Sequence, residues 1–187
     1  MFIKSLFDRG ASLFGLIFLF PVLIIISILI RIKMPGGPVI FKQKRVGQYG
    51  RLFTMYKFRS MTVAHSGSSI SVKGESRITP LGAVLRKYKL DELPELWNVL
   101  IGDMSFVGPR PSPMGNENTY TDFIRKKFGV RPGITGYNQA LKRNSATLEE
   151  RYRNDVYYAE HVSFLLDCRI IIMTLKSVLR RENVYKN

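Results

Sequence analysis

LDELPELWNVLIGDMSFVGPRP, residues 90–111, holds an acid pair, a helical run and an arginine set between prolines. Asp91 and Glu92 stand at its head. Leu90, Leu93, Leu96, Trp97 and Leu100 recur at helical spacing, which predicts a helix over roughly Asp91 to Leu100. Pro94 is tolerated only in a first turn or at a kink, so that helix begins near Asp91. Adjacent residues do not share a helix face. At a helix start, however, an irregular turn can bring both acids to one pocket, where the macrodipole favours carboxylates and phosphate. An ionised aspartate is a competent nucleophile toward phosphorus. A second carboxylate can help hold a divalent cation or handle a proton. A plain pair of capping acids is the other reading of the same two residues.

The stretch ends on Gly108-Pro109-Arg110-Pro111, which puts a guanidinium on a stiff backbone suited to gripping phosphate oxygens. Arg131-Pro132-Gly133 is a second unit of this kind, and Lys57, Arg59 and Arg86 add cations on neighbouring elements. Each basic residue alone reads as a solvated surface charge. Together with the acid pair they are the parts phosphoryl transfer needs: a nucleophile, charge neutralisation and positioning.

Upstream, residues 10–30 read GASLFGLIFLFPVLIIISILI, about the length that spans a bilayer as a helix. The run is too long for a signal-peptide core and lacks a small-residue cleavage site, so it is read as retained. Pro21 kinks it. Lys4 and Arg9 precede it and Arg31 and Lys33 follow it, so both flanks carry the charge that favours the cytoplasmic side. A re-entrant hairpin broken at Pro21 and an ordinary kinked spanning helix both fit these residues.

MPGGP, residues 34–38, ends the membrane helix. Strands are expected over Pro38–Gln43 and Leu52–Met61, and a polar loop over Ala64–Lys73. Thr79-Pro80 caps a basic helix. The stretches IGDMSFVGPRPSP and VRPGITGYNQ read as loops, Asn118–Phe128 as a short helix, and Leu148–Ala159 as a helix. Ser163–Arg181 is amphipathic; Leu165, Leu166, Ile170, Met173 and Val178 fall near one stripe, read as core-facing. The 29 basic residues against 14 acidic ones, a formal charge of +15, call for an anionic partner. No nucleic-acid motif is present, and a membrane segment argues against that partner. Cys168, the only cysteine, excludes an intrachain disulfide and is expected to be a buried packing residue. His65 and His161 are isolated, which excludes a zinc site.

GPVIFKQKRVG, YKFRSM, LDELPELWNVLIGDMSFVGPRP and VRPGITGYNQ resemble the monotopic phosphoglycosyl transferases of bacteria, from the N-terminal helix to about Arg181. The resemblance implies a mostly α fold with short β segments: a compact cytoplasmic catalytic domain (34–187), one N-terminal re-entrant membrane helix (1–33) and interfacial amphipathic helices. It implies transfer of a sugar-1-phosphate from a UDP-sugar to undecaprenyl phosphate with Mg²⁺, through a phosphosugar-aspartate, releasing UMP. By the same resemblance Asp91 is the nucleophile, and Glu92 is its partner for metal or proton. Both serve as candidate metal ligands. Arg110 binds phosphate, Lys57, Arg86 and Arg131 fall in matching basic positions, and Gln139, Arg143 and Asn144 lie near nucleotide or sugar. The break in the family's helix is a Ser-Pro pair; Phe20-Pro21 stands here and keeps the proline without the hydroxyl. Lys142 stands where the family often has a small residue. Larger relatives carry extra N-terminal spans or fused domains, so this chain is expected to be the catalytic core with a single anchor. The expected site of action is the cytoplasmic face of the inner membrane, in contact with its lipid, without nucleic acid, and a homodimer is compatible with membrane residence. The competing expectation is a basic membrane-surface protein without catalysis, which explains the charge but not the acid pair beside Arg-Pro loops.

Overall fold

A computed structural model of the chain describes residues 2–63, 77–115, 120–142 and 146–179. It is mostly helical with short strands. Two helices open it: α1 (Phe2–Phe18) and α2 (Phe20–Lys33), bent by 61° at Leu19. Pro21 sits in the first turn of α2, where its missing N–H costs nothing. The proline therefore marks the break as expected, but α1 starts eight residues before the apolar run. Asp8 and Ser12, both buried, lie on the part of α1 that packs against the domain.

Strands β1 (Ile40–Val46) and β2 (Leu52–Phe58) form an antiparallel hairpin, Gln43 opposite Met55 and Lys42 opposite Tyr56. Thr79 caps α3 (Pro80–Lys87) by accepting the Gly82 N–H at 3.0 Å. A 3₁₀ turn, Leu90–Glu92, then precedes α4 (Glu95–Ile101). The helix predicted from Asp91 therefore starts at Glu95, after Pro94. Gly102 ends α4 at φ +92°, a conformation that glycine adopts without strain.

Both segments read as loops contain strands. β3 (Ser105–Val107) pairs in parallel with β5 (Gly133–Thr135), and β4 (Ser112–Pro113) extends the first sheet along β1. A Cβ on Gly108 would strike the Arg131 carbonyl, and one on Gly133 would strike the Gly108 amide, so the two Arg-Pro units cross through bare backbone. Helix α5 (Asp122–Arg125) is shorter than predicted and passes into a 3₁₀ turn, Lys126–Gly129. α6 (Tyr137–Lys142) falls where a loop was expected. α7 (Leu148–Glu160) carries a capping box between Thr147 and Glu150.

On α8 (Phe164–Leu179), Ile170 is fully buried and Leu166 and Met173 pack with it, but Leu165 is 80% exposed. Phe164, Ile172 and Leu175 join Leu165 on a second, outward apolar stripe. Cys168 is half-buried rather than a core residue. The stretch expected as a polar loop, Ala64–Lys73, together with Asn118, Arg143, Asn144, Arg180 and Arg181, lies outside the described residues, as does the side chain of Val178.

Ile26 and Ile30 of α2 share a core with Met34, Phe58 and Leu85, so α2 is continuous with the rest of the fold. The tie that sets the site is Asn98. Fully buried on α4, it donates to the Thr54 carbonyl (2.7 Å) and accepts from the Tyr56 amide (3.1 Å). An amide side chain thus completes the backbone bonding of β2 and fixes which β2 residues face α4. We expect Asn98→Ala to leave both backbone groups unsatisfied and to lower stability by about 2–4 kcal/mol. Urea unfolding in detergent measures this, and an unchanged midpoint would show that the pairing is not needed.

Candidate active site

The 3₁₀ turn and the first turn of α4 bury three carboxylates: Asp91, Glu92 and Glu95. The turn is entered through Lys89 in the left-handed region (φ +57°), an uncommon conformation for a side-chain-bearing residue. The side chain of Lys89 then reaches back to donate to Glu92 Oε2 at 3.1 Å.

Glu92 is surrounded by positive charge. Lys57 Nζ, from β2, donates to its Oε1 at 2.9 Å, and Arg110 Nη1 lies 3.7 Å from the same oxygen. Burial opposes the charge on Glu92, but Lys57, Lys89 and Arg110 together hold it well below the usual glutamate range. Lys57 also lies 2.9 Å from Glu95 Oε1. Burial opposes the charge on Lys57, yet Glu95 and Glu92 prevail and raise its pKa. Burial pushes Glu95 up to about 7, with Glu92 adding to the rise and Lys57 opposing it.

Asp91 differs from both glutamates. No hydrogen bond or ion pair reaches its carboxylate among the described residues. Burial and then Glu92 raise its pKa, while Lys57, Arg86 and Lys89 pull it back. The two adjacent acids are thus distinct: one is neutralised by three cations, and the other keeps its oxygens free.

The structure gathers Lys57, Arg86, Asp91, Glu92 and Arg110. Arg86 is held from behind, its Nε donating to Ser60 Oγ at 2.8 Å. The Arg110 side chain is 55% exposed and so open to solvent. Its loop is pinned where β4 pairs with β1 and where Arg45 donates to the Pro111 carbonyl at 3.4 Å. Arg131 goes elsewhere: it donates to Ser5 Oγ of α1 at 2.7 Å and lines a cavity of about 270 Å³ with Lys4 and Asp8. Gln139 is buried behind the Gly108 loop, near Gly136, with neither amide atom bonded. Arg143 lies outside the described residues. Sequence reasoning missed Lys89 and Glu95, which lie three residues before and after Glu92, the spacing that puts side chains on one helical face.

No described group of three or more His, Cys, Asp or Glu side chains is arranged to hold a metal by itself. A hard divalent cation that takes one or two carboxylates and completes its shell with water and substrate phosphate still fits. Asp91 offers unbonded oxygens for this, and Glu92 stands next to it.

Known proteins bear on what this arrangement serves. The sequence profile described as "Bacterial sugar transferase" matches residues 1–181. This chain belongs to the bacterial sugar transferase family. Membership makes it a transferase. The sugar transferase EpsL of Bacillus subtilis, itself uncharacterised, is 40% identical over 98% of this chain and 91% of its own length. The undecaprenyl-phosphate galactose phosphotransferase of Salmonella typhimurium is 36% identical over 98% of this chain. A UDP-glucose:undecaprenyl-phosphate glucose-1-phosphate transferase of Xanthomonas campestris is 38% identical over 97%. This chain spans nearly all of the first relative but only 42% and 40% of the other two.

Asp155 of α7 is a further buried acid outside this cluster. Burial pushes Asp155 of α7 up to about 7, against Lys127, Arg110 and Arg151. Lys127 faces it from within a ring of Tyr120, Phe128 and Tyr152 and donates to Ser112 Oγ. A carboxyl raised above its unfolded value keeps a proton that the unfolded chain has released. Its contribution to stability is therefore present below about pH 4 and is lost as pH rises to about 7. We expect Asp155→Asn to gain stability relative to wild type between about pH 4.5 and 7.5 and to gain no more above that. A difference in urea midpoint that stays flat across this window would show that Asp155 is not held neutral.

Proposed function

We propose that this transferase moves a sugar-1-phosphate from a UDP-sugar to undecaprenyl phosphate, giving the undecaprenyl-diphosphate sugar and UMP, as the first membrane step of a bacterial glycan. The observation that carries this reading is the asymmetry of the acid pair: a free Asp91 beside a triply neutralised Glu92. The relatives whose names specify undecaprenyl phosphate as acceptor support the same chemistry.

In this mechanism a carboxylate oxygen of Asp91 attacks the sugar-bearing phosphorus. A bond forms between that oxygen and phosphorus, and the bridging P–O bond to UMP breaks. UMP leaves with the electron pair, and Asp91 carries the phosphosugar. A phosphate oxygen of the lipid then attacks the same phosphorus, and Asp91 leaves as a carboxylate. Neither step requires a protein proton. What the steps require is positive charge around the equatorial oxygens, and Arg110, Arg86 and Lys89 bring it. Asp91 and Glu92 would hold the Mg²⁺, which when bound adds charge neutralisation on the diphosphate. Partial desolvation suits Asp91 to attack, since a carboxylate stripped of water is the stronger nucleophile.

The lipid acceptor gives the anchor its purpose. No single described helix is long and apolar enough to cross a membrane, but α1 and α2 pass that test together as a bent pair. Residues 1–33 serve as the re-entrant anchor and 34–187 as the catalytic domain on the cytoplasmic face. Ile3, Leu6 and Phe7 of α1 are exposed, and Phe7 meets Phe164 of α8 edge-on at 6.3 Å. The exposed stripe of α8 thus continues the exposed face of α1, which supports burial of both in the interface.

Mass spectrometry of the purified protein, incubated with a panel of UDP-sugars and Mg²⁺ without lipid, tests the covalent step. We expect one sugar phosphate added at Asp91, and none in folded Asp91→Asn. UMP released only when lipid is present, with no adduct, would mean direct transfer. Turnover in excess EDTA equal to that in Mg²⁺ would remove the metal from the scheme.

A further inference from the structure

Lys57 is divided between two acids. Its ammonium lies 2.9 Å from Glu92 Oε1 and 2.9 Å from Glu95 Oε1. An ammonium has three N–H bonds at fixed angles, so two such acceptors fix its position and the direction of the third. Glu95 is well placed for this. Its side chain is 3% exposed, it sits one helical turn past Glu92, and Lys57 is its ion-pair partner. The strand leading into Lys57 is itself held, since Asn98 bonds the adjacent Tyr56 amide and, two residues earlier, the Thr54 carbonyl to α4.

We infer that Glu95 is a positioning residue, anchoring Lys57 on the Glu92 side of the site and keeping it off the carboxylate of Asp91. The inference rests on the reading of Asp91 as the nucleophile. Lys57 is close enough for its charge to bear on Asp91. Its four-carbon stem is flexible, and a buried ammonium that loses one acceptor seeks another. Asp91 is the adjacent buried carboxylate without a partner. An ammonium bonded there would compete with the cation and with phosphorus for the two oxygens of Asp91 and would stabilise the ground state at the expense of the transition state. Glu95 is thus needed for an acceptor oxygen in the right place, a role that a carboxamide fills as well as a carboxylate. The other charges that act on Glu95 are Glu92 and Arg110, and its charge in turn acts on Arg45.

The test compares Glu95→Ala, Glu95→Gln and wild type for UMP release with undecaprenyl phosphate, using the donor that wild type accepts. Crystal structures of the variants are determined in parallel. For Glu95→Ala we expect kcat to fall roughly 10- to 100-fold with the donor KM within about threefold. We expect Lys57 Nζ to lie within hydrogen-bond distance of Asp91 in that variant. Glu95→Gln is expected to restore kcat to within about threefold of wild type, with Lys57 back on Glu92. If Glu95→Ala turns over like wild type, or if its Lys57 remains on Glu92 alone, the inference is overturned while the proposed function stands. If wild type itself releases no UMP from any donor, the proposed function fails, and the position of Lys57 in Glu95→Ala still decides whether Glu95 anchors it.

Discussion

Three carboxylates buried within a span of five residues carry a high desolvation cost, and the elements around them answer it. Each needs compensating charge, and the compensation comes from separate elements. Lys57 rises from β2, Lys89 turns in from the residue before the 3₁₀ turn, Arg86 comes from the end of α3 and Arg110 from the loop after β3. None of these partners is a neighbour of Asp91 on a single helix. The carboxylates can be buried only after the hairpin, α3, α4 and the Gly108 loop have come together. The compensation is also uneven: Glu92 takes three cations, and the carboxylate of Asp91 is left without a hydrogen bond or ion pair among the described residues.

The acid pair and the Gly108–Pro111 loop were legible because their chemistry is local: two acids beside a proline-ended turn, and one arginine between two prolines. The remainder of the site was not legible, for a physical reason. Glu95 looked like an ordinary polar position near the start of a helix, and Asn98 like a polar residue within one. What they do depends on β2, about 40 residues earlier, and on a bond from a side chain to a strand backbone that no periodicity records. Strands β3 and β5 escaped notice because each has three residues and is flanked by glycine and proline, so neither alternates long enough to be read. Helix α8 defeated the amphipathic reading differently. Its two apolar stripes are both real, and only the packing of Ile170 against Tyr158 and Val107 tells core from surface. The bent anchor was the reverse case. Pro21 forecast the break, and the position of Leu19 refined it.

A second buried charge cluster seats helix α1. Lys4 of α1 bonds Asp167 of α8 at 2.5 Å, Asp8 accepts from Ser105 of β3 at 2.6 Å, and Tyr158 of α7 donates to Asp167 at 2.6 Å. Exposed apolar residues lie on the other side of the same helix, at Ile3, Leu6 and Phe7. Helix α1 therefore carries a polar face that specifies its seat on the domain and an apolar face that suits lipid. The two faces fix its rotation together, since turning it would bury Leu6 against Asp167 and expose Asp8.

The divergence of the two Arg-Pro units follows from this arrangement. Both look like phosphate grips in the sequence, and their backbones cross at Gly108 and Gly133 with no room for a side chain between them. From that crossing Arg110 goes toward Glu92 and Arg131 toward Ser5 at the start of α1. The same ladder, through Gly108 N–H to the Thr135 carbonyl and Gly133 N–H to the Pro109 carbonyl, makes the crossing rigid. Further along α1, Ser12 bonds the Leu96 carbonyl of α4, one residue past Glu95. Helix α1 thus contacts the acid-bearing helix directly and the Arg110 loop through Arg131, so its one seat on the domain fixes both halves of the candidate site together.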